Sequence, residues 1–172
     1  YKRVEDGGAS RGRGPWHPDV ELFEVYDDKS GELLGEFYTD LFPREGKYNH
    51  AAQFPLVLRK RWPDGSLSTP VVALVCNFTK PTDEQPSLLT HREVETFFHE
   101  FGHCLHSIFT KAELANLAGT NVARDFVEAP SQMLENWIWD KEVLATFAKH
   151  HETGEVIPDA LLDGMIAAKN LG

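Results

Sequence analysis

Disulfide chemistry has almost nothing to work with in this chain: Cys76 and Cys104 are its two thiols in 172 residues. Two cysteines make no disulfide framework; both are expected to be reduced, and a cytoplasmic home follows as the expectation. Positive charge is also scarce. Seventeen Lys and Arg stand against 27 Asp and Glu, a formal net charge of −10 with a pI near 5.2. That balance speaks against nucleic acid and against an anionic membrane surface as partners. The longest apolar run, over 70–76, is far short of the roughly 20 residues that cross a bilayer. No signal peptide, internal repeat or low-complexity tract is visible, although a truncated start would hide a leader. Two ligand classes fail on spacing: Asp27-Asp28-Lys29-Ser30-Gly31 lacks the pattern of a calcium loop, and Gly46-Lys47 lacks the rest of a phosphate loop.

What is present suffices for one domain with a real core. Residues 1–15, with Arg11-Gly12-Arg13-Gly14, read as a flexible lead-in, and 16–172 as the folded unit. From about Val20 to Phe78 the sequence reads as strands. Asp27 to Gly31 makes one hairpin turn and Pro63-Asp64-Gly65 another. Helical patterning takes over at His91, returns near Asp125, and continues near 140–151 and 159–170. The expected class is α+β: a small antiparallel sheet followed by helices.

The first of those helices carries His99-Glu100-Phe101-Gly102-His103. Two imidazoles four apart lie one turn above the other on the same helix face. They can share one Zn²⁺ while the intervening glutamate works on water, the H-E-x-x-H logic of zinc peptidases. Thr90 and Glu93 have capping-box spacing, and Val94, Phe97, Phe98, Phe101, Leu105 and Ile108 recur at helical intervals. On a helical wheel these apolar residues fall within about 40° of one line, with His99 and His103 about 140° and 180° away from it. The histidines therefore turn away from the core side. His106 shares their face but rises about 10 Å beyond His99, too far to share the ion. It is expected to support the ligands from behind or to line the cleft, the alternative being a plain surface histidine.

A third ligand must come from elsewhere. In the next helical segment Glu128 and Glu135, seven apart, share a face opposite Phe126, Met133, Leu134, Trp137 and Ile138. Either carboxylate completes a His₂Glu set with a fourth position open. Glu128 has an alternative reading as the partner of Asp125 in a helix cap. Glu95, Asp125 and Glu135 are candidates to accept the second N–H of a metal-bound imidazole. Spacing alone leaves Glu128 and Glu135 both open.

Five blocks occur in a characteristic order: Trp16-His17-Pro18-Asp19-Val20, Phe37-Tyr38-Thr39-Asp40-Leu41-Phe42-Pro43-Arg44-Glu45-Gly46-Lys47-Tyr48, Asn77-Phe78-Thr79-Lys80-Pro81, the HEFGH helix, and Asp125 to Trp137. Together they resemble the thimet oligopeptidase family of zinc metallopeptidases, across nearly the whole chain from Trp16 onward. The resemblance implies a zincin-like catalytic core holding one Zn²⁺ on His99, His103 and Glu128, with Glu100 as general base. It also implies short peptides as substrates.

In zincins a sheet edge beside the metal helix can hold an extended peptide by strand addition, and the strand near Val71–Phe78 is expected to do so. The family draws its oxyanion donors from a tyrosine- and histidine-bearing segment well downstream of the third ligand. Here tyrosine occurs at Tyr1, Tyr26, Tyr38 and Tyr48, all upstream. The chain is thus expected to be an excised catalytic core. The alternative to a working peptidase is a zinc-binding, catalytically incomplete module that binds peptides.

Overall fold

A computed structural model of the chain describes residues 1–4 and 14–169. Five strands, β1 (Lys2–Val4), β2 (Val20–Tyr26), β3 (Leu33–Asp40), β4 (Ala52–Val57) and β5 (Val71–Val75), form one sheet in the order β1-β2-β3-β5-β4. Five helices follow: α1 (His91–Phe109), α2 (Arg124–Val127), α3 (Ala129–Glu135), α4 (Lys141–Phe147) and α5 (Asp159–Lys169).

The sheet is mixed, which corrects the antiparallel expectation. β3 and β5 run parallel, from Glu36↔Val71 to Asp40↔Val75. Parallel neighbours need a long crossover; residues 41–70 supply it and lay β4 on the outside, antiparallel to β5. β5 is therefore interior, with all five residues buried, as an unbroken apolar run implies for a strand covered on both faces. It cannot receive an added strand; β4 is the edge on that side. At the other edge, residues 2–4 are not a loose lead-in but pair with β2 from Lys2↔Glu24 to Val4↔Leu22. Residues 5–13, including Arg11-Gly12-Arg13, lie outside the described residues.

The turns follow local chemistry. Asp27 Oδ1 accepts from Lys29 N, Ser30 N and Ser30 Oγ, and Gly31 takes the left-handed φ of 72° that closes the β2–β3 hairpin. Pro63-Asp64-Gly65 also turns the chain, but it joins a single bridge, Arg61↔Leu67, rather than two strands.

Phe97, Phe101, Cys104 and Ile108 of α1 pack on the face of the sheet formed by Val25, Phe37, Val72, Leu74 and Cys76. Burying a side chain such as Ile108 contributes on the order of 1.5–3 kcal/mol. The capping box at Thr90 is complete, with Glu93 N–H on Thr90 Oγ1 and Thr90 N–H on Glu93 Oε2. Cys76 and Cys104 are free and buried; burial pushes the Cys76 thiol up to about 12.

At the end of β3 a buried polar cluster locks the crossover. Arg44 donates to both oxygens of Asp40 at 2.7 and 2.8 Å, and Trp16 Nε1 adds a third bond at 3.1 Å. Lys47 Nζ reaches Asp40 Oδ1 at 3.0 Å and donates to the carbonyls of Asp40, Phe42 and Cys76. Burial works to raise the Asp40 pKa, but the hydrogen bonds from Arg44, Lys47 and Trp16 outweigh it and hold the carboxyl below its ordinary range. These bonds fix the loop that leads into β4.

Candidate metal centre

His99 and His103 project from the middle of α1 with ring centroids 5.0 Å apart. Opposite them Glu128 stands at the joint between α2 and α3, its backbone helical at φ −85° and ψ −7°. The buried Ser131 hydroxyl donates to Glu128 Oε2 at 2.8 Å, holding the carboxylate in place. Glu128 Oε2 lies 3.3 Å from His99 Nε2 and 3.2 Å from His103 Nε2. Donors about 2.0–2.1 Å from a tetrahedral Zn²⁺ stand about 3.3 Å from each other, so the spacing fits one ion.

Proton inventory points the same way. His99 Nδ1 is 2.5 Å from Glu135 Oε1. A neutral ring that donates there keeps its Nε2 lone pair facing Glu128. Burial lowers the pKa of His103, with Glu128 opposing the shift in part. The Ser131 hydrogen bond, helped by the two histidines, lowers that of Glu128. With both rings neutral and their protons on Nδ1, a carboxylate and two imidazole lone pairs would face one another, an arrangement that a cation resolves. Among the described residues, His99, His103 and Glu128 are the cluster able to hold a metal.

The approach of α3 depends on Gly102. A Cβ there would lie 2.5 Å from Ser131 Cα and 2.8 Å from the Pro130 carbonyl oxygen. No side chain fits without displacing the backbone that carries Glu128. α1 is therefore packed on two sides, against the sheet through its apolar stripe and against α3 through a glycine.

Glu100 is 9 % exposed and lines a cleft of about 310 Å³ together with Ala51, Ala52, Gln53, His99, His103, Thr120, Val127 and Glu128. Burial raises its pKa, while His99 and the backbone N–H of Gln53 pull it back down. A carboxylate so placed is poised to take up and release a proton rather than to bind an ion permanently. One turn past His103, the buried Ser107 receives a hydrogen bond from Gln53 Nε2 at 3.4 Å. The loop at Gly119, with φ +60°, packs on Ser107 so closely that a Cβ would be 3.0 Å from its hydroxyl. That contact brings Thr120 to the cleft.

The sequence candidates divide clearly. Glu128 and Glu135, undecided by spacing, take different places: one faces the two Nε2 atoms and the other grips His99 from behind. Among the described residues neither Glu95 nor Asp125 bonds to an imidazole. α2 begins after Ala123 without a side-chain cap, so the Asp125–Glu128 capping alternative is not realised. His106 does not line the cleft; its ring packs 6.0 Å from Phe126, and burial lowers its pKa. Gly102, Gln53, Ser107 and Ser131 were not singled out as site residues. Of these only Gly102 left a signal, a glycine kept inside a helix between two candidate ligands.

The fold and site define a class: a mixed-sheet α+β protein whose long helix offers two histidines to a carboxylate from a later helix, across an open cleft. The family model for peptidase family M3 matches residues 6–172, and the chain belongs to that family. It is 52% identical over 160 residues to the thimet-like oligopeptidase of Dictyostelium discoideum, covering 91% of this chain and 24% of that protein. It is 51% identical over 156 residues to oligopeptidase A of Escherichia coli, covering 90% and 23%. Over 166 residues it is 45% identical to saccharolysin of Saccharomyces cerevisiae, covering 94% and 23%. The chain thus spans about a quarter of the length of the curated relatives it matches.

Proposed function

We propose that residues 16–172 are the zincin-like catalytic core of a zinc-dependent oligopeptidase that hydrolyses short peptides. The observation that carries this reading is the convergence of His99 Nε2, His103 Nε2 and Glu128 Oε2 at 3.2–3.3 Å beside Glu100 in one cleft. Bound on those three residues, Zn²⁺ would polarise the scissile carbonyl and bring the pKa of a water toward neutrality.

The remaining steps belong to the chain. Glu100 takes the proton of the attacking water and passes it to the leaving amine, a role suited to a carboxyl whose pKa burial raises. Glu135 keeps His99 in the tautomer that leaves Nε2 free. The edge strand β4, which enters the cleft at Ala51–Gln53, holds the peptide extended.

A second reading has its own support. The described cleft-lining residues include Thr120 but no tyrosine, arginine or lysine to receive an oxyanion. A zinc-holding module that binds peptides without turning them over fits that lining. Cytoplasmic residence belongs to the proposal as well; among the described residues no helix is long and apolar enough to cross a membrane.

Zinc content measured beside cleavage of an internally quenched peptide, in the chain and in Glu100→Gln, separates the readings. Stoichiometric zinc with cleavage that falls about 10²–10⁴-fold in the variant supports the peptidase. Zinc without cleavage supports the binding module, and absence of zinc binding defeats both.

A further inference from the structure

Six polar side chains line the metal cleft: Gln53, His99, Glu100, His103, Thr120 and Glu128. Two imidazoles and a carboxylate face one another, Glu100 stands beside them, and Gln53 Nε2 donates to Ser107 Oγ at 3.4 Å. Thr120 is the exception. It brings the one hydroxyl of the lining, and among the described residues no hydrogen bond engages it. Hydroxyls in turns often bond to backbone close by, as Thr82 accepts from Gln85 N–H and Thr110 from Ala112 N–H. That of Thr120 does not.

The chain on either side of Thr120 is nevertheless fixed. Ala118 and Gly119 are buried, and Gly119, at φ +60°, is pressed against Ser107 of α1. Asn121 N–H donates to Ala118 O at 3.2 Å, and Asn121 Nδ2 to Ala115 O at 3.0 Å. A side chain presented from a loop so tied loses little freedom when it binds. The cleft is also short of donors. Glu100 and Glu128 accept as carboxylates, and imidazole nitrogens turned to an ion accept as well. A peptide lying across the site brings carbonyl oxygens on both sides of the bond to be cut. The scissile one belongs to the ion; its neighbours meet carboxylates that cannot donate to them.

We propose that Thr120 is a substrate-binding residue whose hydroxyl donates to one backbone carbonyl of the peptide, in a residue adjoining the scissile bond. The bond is made to the uncut peptide, so it serves affinity rather than the rate of the chemical step. It reads main chain and is indifferent to the side chain that the peptide carries there. A hydroxyl is all that it needs: serine can supply one, whereas valine, of the same shape, cannot. This rests on the peptidase reading and adds a residue to its site.

The test is peptide affinity, read by fluorescence anisotropy on the full zinc-loaded chain carrying Glu100→Gln, so that the peptide stays uncut. Adding Thr120→Val should raise Kd about three- to tenfold, and Thr120→Ala by a similar factor. Thr120→Ser should stay within about twofold of the parent. A series of peptides, each with one amide replaced by an alkene, then locates the partner. At one position next to the scissile bond the effect of Thr120→Val should vanish, because the carbonyl it would lose is already gone. Equal Kd with and without Thr120→Val and Thr120→Ala, or an effect that persists in every alkene peptide, overturns the proposal and leaves the peptidase reading standing. A rise in Kd that comes only with loss of zinc from the variants overturns it as well. No binding of the unmodified peptide by the Glu100→Gln chain overturns both.

Discussion

Two charged clusters in this molecule gather side chains from separate elements, and they are built on opposite terms. Around Asp40 donors meet acceptors: Arg44, Lys47 and Trp16 surround one carboxylate, and the three protons of Lys47 are shared between it and three carbonyls. Around Glu128 two imidazole nitrogens face one carboxylate oxygen across 3.2–3.3 Å, and all three atoms lie within 4.8 Å of one another. A buried polar group with its bonds made is a structural fixture, whereas acceptors aimed at one point leave a place for a cation. The two clusters show how a structural ion pair and a metal site differ when both are drawn from Asp, Glu and basic side chains.

The comparison can be broken by experiment, most forcefully at Asp40. Asp40→Ala leaves Lys47 with carbonyls alone and Arg44 without the carboxylate it grips, and should cost about 3–5 kcal/mol in urea unfolding, with zinc affinity per folded molecule unchanged. The carboxyl is held below its ordinary range. Its contribution is therefore complete above about pH 4, the unfolded value, and is lost as pH falls through the folded one. The stability difference between the chain and Asp40→Asn should shrink on acidification; a difference that grows would show that the cluster is misread.

Gly102→Ala should act on the other cluster. It costs about 1–3 kcal/mol by overpacking against Ser131. Dialysis followed by metal analysis should find the one-to-one zinc stoichiometry lost, because Glu128 moves away with α3. Zinc retained at full stoichiometry would mean that the two histidines hold the ion without it. The smallest effect belongs to Glu135→Gln. It should weaken zinc about 10–100-fold in a competitive chelator titration and leave the unfolding of the metal-free chain within about 1 kcal/mol of the parent.

Legibility followed the range of the interactions. Helix α1 could be read from Thr90, Glu93 and the apolar period because caps and helix faces are local. The direction its histidines face could be read for the same reason. The partners of Val71–Val75 could not be: a run buried on both faces says that it is interior, but not which strands flank it. The expectation that it formed an antiparallel edge failed accordingly, and the true edge, β4, carries exposed Phe54, Pro55 and Leu56 without clean alternation. Glu128 and Glu135 share a helical face in sequence. What separates their tasks is a bend at Glu128 and a hydroxyl at Ser131, both set by tertiary contact.

The joint at Glu128 has a consequence for biogenesis. The two nitrogen donors ride on a helix of 19 residues, but the oxygen donor hangs between helices of four and seven, segments too short to persist undocked. Under the proposed zinc reading, a complete three-donor set exists only once α3 has docked, so full-affinity capture of the ion would report that this part of the fold is assembled.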